Sequence, residues 1–146
     1  MKKKLSMLFL AIISLSFMYG QEYKTTFTSH RTGSQVSAYP LPMKGEAKVP
    51  ANGHVWILAH LEGFEGWYPQ GNGERTLKNN QWVCSVHLGT PQETGFYEIA
   101  IAVVSDEVNQ SLNNWVKTAQ ERGYPPIPFP DVLDCCSITS IRIEKR

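Results

Sequence analysis

The sequence predicts an all-β fold, an antiparallel sandwich of about seven strands with one amphipathic helix before the last strand. Three observations carry this. Short runs rich in Val, Ile and aromatic residues recur between Gly, Pro and Asn turn signals, at the spacing of sandwich strands. Helical spacing occurs once, at Val108, Leu112, Trp115, Val116 and Ala119. Most connections are too short for parallel crossovers, and one helix is too few for a βαβ sheet.

The first element is a targeting segment. Lys2, Lys3 and Lys4 precede an apolar run from Leu5 to Tyr19, and the chain then turns polar at Gln21-Glu22. This is the layout of a secretory signal peptide over residues 1–20, cut after Gly20 or, as a fallback, after Ser16. Fifteen helical residues reach about 22 Å, short of the roughly 30 Å hydrocarbon core, so a retained anchor is disfavoured. No Cys follows the run to carry a lipid. The expected location is therefore exported, periplasmic or secreted, with no stable membrane anchor after cleavage.

Residues 21–34 read as a polar lead-in holding at most one edge strand near Tyr23–Thr28, and residues 35–146 as the sandwich domain. Val36–Leu41 and Gly45–Val49 read as two strands, parted by Pro42 and closed by Pro50 and Asn52-Gly53. His54–Leu61 is apolar on both faces and is a central strand. Gly63, Gly66, Gly71 and Gly73 punctuate a loop with a short strand at Trp67–Gln70. In Trp82–Leu88 the inward set is Trp82, Cys84, Val86 and Leu88. Phe96–Val104 is the second central strand. Ser105 or Asp106 caps the helix and Gly123 ends it. Tyr124–Pro130 is an extended spacer, and Ser137–Ile143 the last strand. The helix is expected to cover one edge or end of the sandwich.

Certain of these stretches carry a resemblance. "HVWILAH" at 54–60, "GWYPQG" at 66–71, "NNQWVCSVHLG" at 79–89 and "GFYEIAIAVV" at 95–104 resemble immunoglobulin-like β-sandwich accessory domains of bacterial exported and envelope proteins. The similarity runs from about residue 36 to the end. It implies an immunoglobulin-like sandwich in an exported setting, and it brings no catalytic residue with it.

Composition narrows the function. The chain has 146 residues, 14 Lys plus Arg against 13 Asp plus Glu, and 42% hydrophobic residues. Removing residues 1–20 takes away three lysines and no acids, leaving 11 basic and 13 acidic side chains, a formal charge of −2. Nucleic acid is not an expected partner, because phosphate binding needs a clustered surplus of cations.

No chemical motif stands out: GxSxG, P-loop, GxGxxG before a helix, HExxH and paired CxxC are all lacking, so no catalytic residue, metal site or cofactor is expected. His54 and His60 share a strand face but stand about 20 Å apart, too far to bind one metal. His60 and His87, with Glu62, are a weak alternative. Of the three cysteines, Cys84 is expected to bridge Cys135, or Cys136, or to stay free; a Cys84–Cys135 loop of roughly 50 residues would contribute about 4 kcal/mol. A strained Cys135–Cys136 bridge and a dimer-forming thiol are further options.

The candidate ligand residues are Phe64, Trp67, Tyr68 and Gln70. An exposed aromatic row stacks sugar rings, whereas the same aromatics, with Trp56 and Trp82, equally fill a core. The expected function is a non-enzymatic binding module that meets an unknown protein or glycan through the loop at 63–74 or a sheet edge. The alternatives are a small carbohydrate-binding or carbohydrate-active protein using Glu62, Glu65 and Trp67, and a structural envelope protein.

Overall fold

Alternation of side chains builds the first sheet. In the computed structural model, which describes residues 22–146, β3 (Leu41–Lys48) and β6 (Gln81–Val86) alternate strictly between buried and exposed residues. Each therefore covers a core with one face and meets solvent with the other. With β1 (Lys24–Phe27) they form a three-stranded antiparallel sheet in the order β1-β3-β6. The expected signal segment lies outside the described residues.

The second sheet has five strands in the order β2-β8-β7-β4-β5. Its members are β2 (Gln35–Val36), β4 (His54–Leu61), β5 (Tyr68–Pro69), β7 (Gly95–Val104) and β8 (Thr139–Lys145). All pairings in it are antiparallel except that of β2 with β8. Val55, Ile57 and Ala59 of β4 and Ile99, Ile101 and Val103 of β7 meet Leu41, Met43, Trp82 and Val86 of the first sheet in one core. The chain is thus a mostly β, two-sheet sandwich with one helix. Among the described residues eight strands are present, two of them only two residues long.

Two expectations need correction. The strand expected at Val36–Leu41 is not formed. β2 ends at Val36, the chain crosses between sheets, and β3 runs unbroken from Leu41 through Pro42 to Lys48. Pro42 is tolerated for a geometric reason. Lys44 directs its carbonyl to Thr28, on the β1 side, so Pro42, two residues away, faces that side too. The pairing with β1 stops at Gly45, so the missing N–H removes no ladder bond.

The helix does not cover an edge or end. α1 (Asp106–Ala119) lies on the outer face of the five-stranded sheet, where Leu112, Val108 and Val116 pack on Trp56, Leu58, Ala102 and Val104. β4 and β7 are apolar on both faces, so burying one face leaves a second in need of cover. Ser105 caps the helix, its hydroxyl accepting the Val108 N–H at 3.3 Å. At the other end Gly123, at φ 72°, lets the Tyr124 N–H reach the Ala119 carbonyl at 2.7 Å, a Schellman closure.

The proline-rich connector is more than a spacer. Ile127 exchanges main-chain hydrogen bonds with Trp67 at 2.8 and 3.0 Å, and Phe129 and Val132 complete the cover of the outer face.

Side chains close the gaps between the sheets. Thr139 of β8 donates to the Thr25 carbonyl of β1 at 3.0 Å. Buried Lys145 donates from Nζ to the Leu88 carbonyl at 2.7 Å and to that of Thr90, with the Tyr39 ring 5.0 Å away.

Candidate functional site: a groove on the outer face of the three-stranded sheet

The expected ligand residues do not share one surface. Phe64, at the tip of the loop after β4, is 68% exposed. Trp67 is half-buried, stacked on His60 at 5.1 Å and edge-on to Phe129 at 4.8 Å. Tyr68 is half-buried in β5. Gln70 is 6% exposed and bonded at both ends: Oε1 accepts the His87 N–H at 2.7 Å, and Nε2 donates to the Tyr68 carbonyl at 3.0 Å. The structure therefore brings Trp67 together with His60 and Phe129, not with Phe64 and Gln70 in a row.

Sheet edges are blunted as well. Arg75 Nη1 donates to the Val83 carbonyl on the open side of β6 at 3.1 Å, four residues from where Gln70 takes His87. The β1 edge is tied by Thr139 and the β5 side by Ile127. An added strand finds these main-chain groups already bonded.

Concavity appears elsewhere. Ser29, Pro42, Lys44, Val83, Ser85 and His87, with the 71–75 loop, line an open groove of about 630 Å³ on the outer face of the three-stranded sheet. Its floor is apolar at Pro42 and at Val83, which is 72% exposed. Lys44 and Arg75 supply positive charge, and no carboxylate is among the lining residues. Arg75 also holds one wall, donating to the Gly71 and Gly73 carbonyls, the latter at 2.8 Å from Nη2. The volume lies in the range of ligand pockets, roughly 300–1,000 Å³.

Sequence reasoning missed this surface. Lys44, Val83, Ser85 and His87 are all outward residues of alternating strands, so the exposed Val83 was the available signal. Nothing in the order of residues tells that Arg75 would reach β6 from a loop alongside β4.

The groove lacks an activated nucleophile. Ser29 and His30 are hydrogen-bonded at 2.9 Å, but the Ser29 hydroxyl also takes the Lys44 N–H at 3.0 Å. Burial holds His30 below its ordinary pKa, and among the described residues no carboxylate bonds it. The orienting third member of a triad is not supplied. The side chain of Cys84, beneath the groove, faces the inter-sheet core, and burial pushes its thiol up to about 11, outweighing the nearby Arg75.

The other polar clusters are also occupied. His54 lies between two carboxylates, Nδ1 at 2.6 Å from Glu74 Oε2 and Nε2 at 2.6 Å from Asp106 Oδ1. Asn109 extends the network, donating to Glu74 Oε1 at 3.3 Å and accepting the Trp56 indole N–H at 2.8 Å. With both ring nitrogens taken, His54 has no lone pair for a base or a metal. His60 gives Nδ1 to the Gly66 carbonyl at 2.8 Å, whereas His87 sits against Tyr39, with ring centroids 5.4 Å apart. Among the described residues no group of three His, Cys, Asp or Glu is placed to hold a metal.

Glu62, the acid of the carbohydrate-active alternative, is gripped by Arg142 through both oxygens, one at 2.9 Å from Nη2. That contact lowers its pKa, so it does not hold a proton for a leaving group. The Cys84–Cys135 bridge is not formed. All three thiols are free, with Cys84 and Cys136 buried and Cys135 exposed, and the Cys135 sulfur stands 3.1 Å from that of Cys136.

Among the described residues no helix is long and apolar enough to cross a membrane. Compared with known proteins, the chain matches no protein-family model and no curated sequence.

Proposed function

We propose that the protein is an exported, non-enzymatic binding module on an immunoglobulin-like sandwich, and that it takes an acidic segment of a partner protein in the groove of the three-stranded sheet. The observation that carries this is the groove itself: an apolar floor at Pro42 and Val83, cations at Lys44 and Arg75, and no lining carboxylate. A partner segment with acidic and apolar residues in alternation matches it.

Export rests on Lys2–Lys4 and the apolar run to Tyr19. The strand order supports the immunoglobulin-like reading. β1, β3 and β6 stand where strands A, B and E do, and β8, β7, β4 and β5 where G, F, C and C′ do. Tyr97, near the start of β7, lies with its hydroxyl beside Gly89 of the preceding connection, but that hydroxyl makes no hydrogen bond, so the tyrosine corner of such sandwiches is not completed. The departures are the helix between β7 and β8, the free cysteines, and Trp56, which faces the helix and not the other sheet.

The test is amide NMR of the isotopically labelled protein titrated with acidic peptides and with neutral glycans. Saturable shifts confined to Ser29, Lys44, Val83, Ser85 and His87, lost in Lys44→Glu, are expected with acidic peptides. Shifts centred on Phe64–Tyr68 with a glycan would install the carbohydrate-binding alternative, for which the exposure of Phe64 speaks.

A further inference from the structure

We propose that Cys135 and Cys136 form a reversible dithiol site that closes to a vicinal disulfide by exchange with a low-molecular-weight disulfide. Their sulfurs stand 3.1 Å apart. The turn that carries them is closed by the Cys136 N–H on the Leu133 carbonyl at 2.9 Å, so the pair is presented by ordered main chain just before β8.

The two thiols differ in exposure, and this divides the chemistry between them. Cys135 is exposed and meets the incoming disulfide. Its thiolate attacks one sulfur of R–S–S–R, forming Cys135–S–S–R and releasing one thiolate. Cys136 is 9% exposed and packs with the inter-sheet core, out of reach of the reagent but beside the Cys135 sulfur. After losing its proton to solvent it attacks that sulfur, forms the bond between the two cysteines and expels the second thiolate. Two protein thiols are oxidised, one external disulfide is reduced to two thiols, and two protons leave the protein.

Burial and the neighbouring Cys135 push the Cys136 thiol up to about 12, which makes the second step the slower one and one that quickens as pH rises. Cys84 is buried in β6 and stays a spectator.

The experiment incubates the reduced protein with oxidised glutathione at several pH values, alkylates the remaining thiols and maps the peptides by mass spectrometry. The expected product has lost two hydrogens, retains one alkylatable thiol at Cys84 and carries the bond within the 135–136 peptide. Cys136→Ser is expected to stop at the Cys135 glutathione adduct, and Cys135→Ser to slow adduct formation by roughly tenfold or more. A lasting adduct on Cys135 in the unsubstituted protein, a bridge from Cys84 to either partner, or retention of all three thiols would overturn the proposal.

Discussion

Gln70 joins the two sheets: carried alongside β4, where its N–H bonds the Ile57 carbonyl at 2.8 Å, it accepts the His87 N–H beyond the end of β6 at 2.7 Å. Truncation removes a part-buried hydrogen bond between the sheets, which costs about 0.5–1.5 kcal/mol. Gln70→Ala is therefore expected to lower the unfolding free energy read from urea denaturation by that amount, whatever ligand is present. Unchanged stability with impaired ligand binding would instead return Gln70 to the ligand surface.

Gly45 is required by Trp82. A Cβ at position 45 would stand 2.0 Å from the Thr26 carbonyl and 2.4 Å from the indole ring. Gly45→Ala must then part β1 from β3 or displace a fully buried tryptophan. Overpacking of this kind costs about 1–3 kcal/mol, and contact with rigid main chain puts Gly45→Ala at the upper end. Thermal melting followed by tryptophan fluorescence reads it directly. An unshifted transition would show that the indole does not lie over Gly45.

Much of the fold was legible because it is written in periodicity. The two-faced strands at 54–61 and near 96–104, the alternating strand from Trp82, and the helix with Ser105 and Gly123 at its ends all rest on local pattern. What failed was long-range. Pro42 looked like a break, because only the pairing on each side of β3 reveals that its missing N–H faces no strand. The double apolar face of β4 was visible, but not that α1 and Ile127–Phe129 would cover it. The groove was out of reach for the same reason: Arg75 and Val83 come together through tertiary structure alone.

Phe64 and Trp67 stand three residues apart and are expected to behave oppositely. Phe64 is 68% exposed, and Phe64→Ser should change stability by no more than about 0.5 kcal/mol. Trp67 is wedged between His60 and Phe129, and its main chain pairs with Ile127. Trp67→Ala should cost about 3 kcal/mol, at the low end for large aromatics because Trp67 is only half-buried. Paired denaturation curves decide it. Equal, small effects would mean that the connector at 127–129 does not depend on the indole, and would reopen Trp67 as a ligand contact.

His54 gives the stability of the protein a pH dependence of definite sign. Its ring lies 2.6 Å from Asp106 on one side and 2.6 Å from Glu74 on the other, an arrangement that suits an imidazolium donating from both nitrogens. The hydrogen bond to Asp106 raises its pKa most, burial opposes this, and Glu74 adds to the rise. A pKa higher in the folded than in the unfolded chain means a contribution fully present below about pH 6.5 and lost as pH climbs through the folded value. Losing the proton turns one nitrogen into an acceptor facing a carboxylate, which loosens the tie between the 71–75 loop and the start of α1. His30, held low by burial, works with the opposite sign, so the comparison must be with His54→Gln and not with a flat line. The melting temperature of the unsubstituted protein is expected to fall relative to His54→Gln between pH 6 and pH 9, and the His54 ring resonances to titrate above pH 6.5. A difference curve that is level, or that rises, would show that His54 holds no extra proton in the folded state.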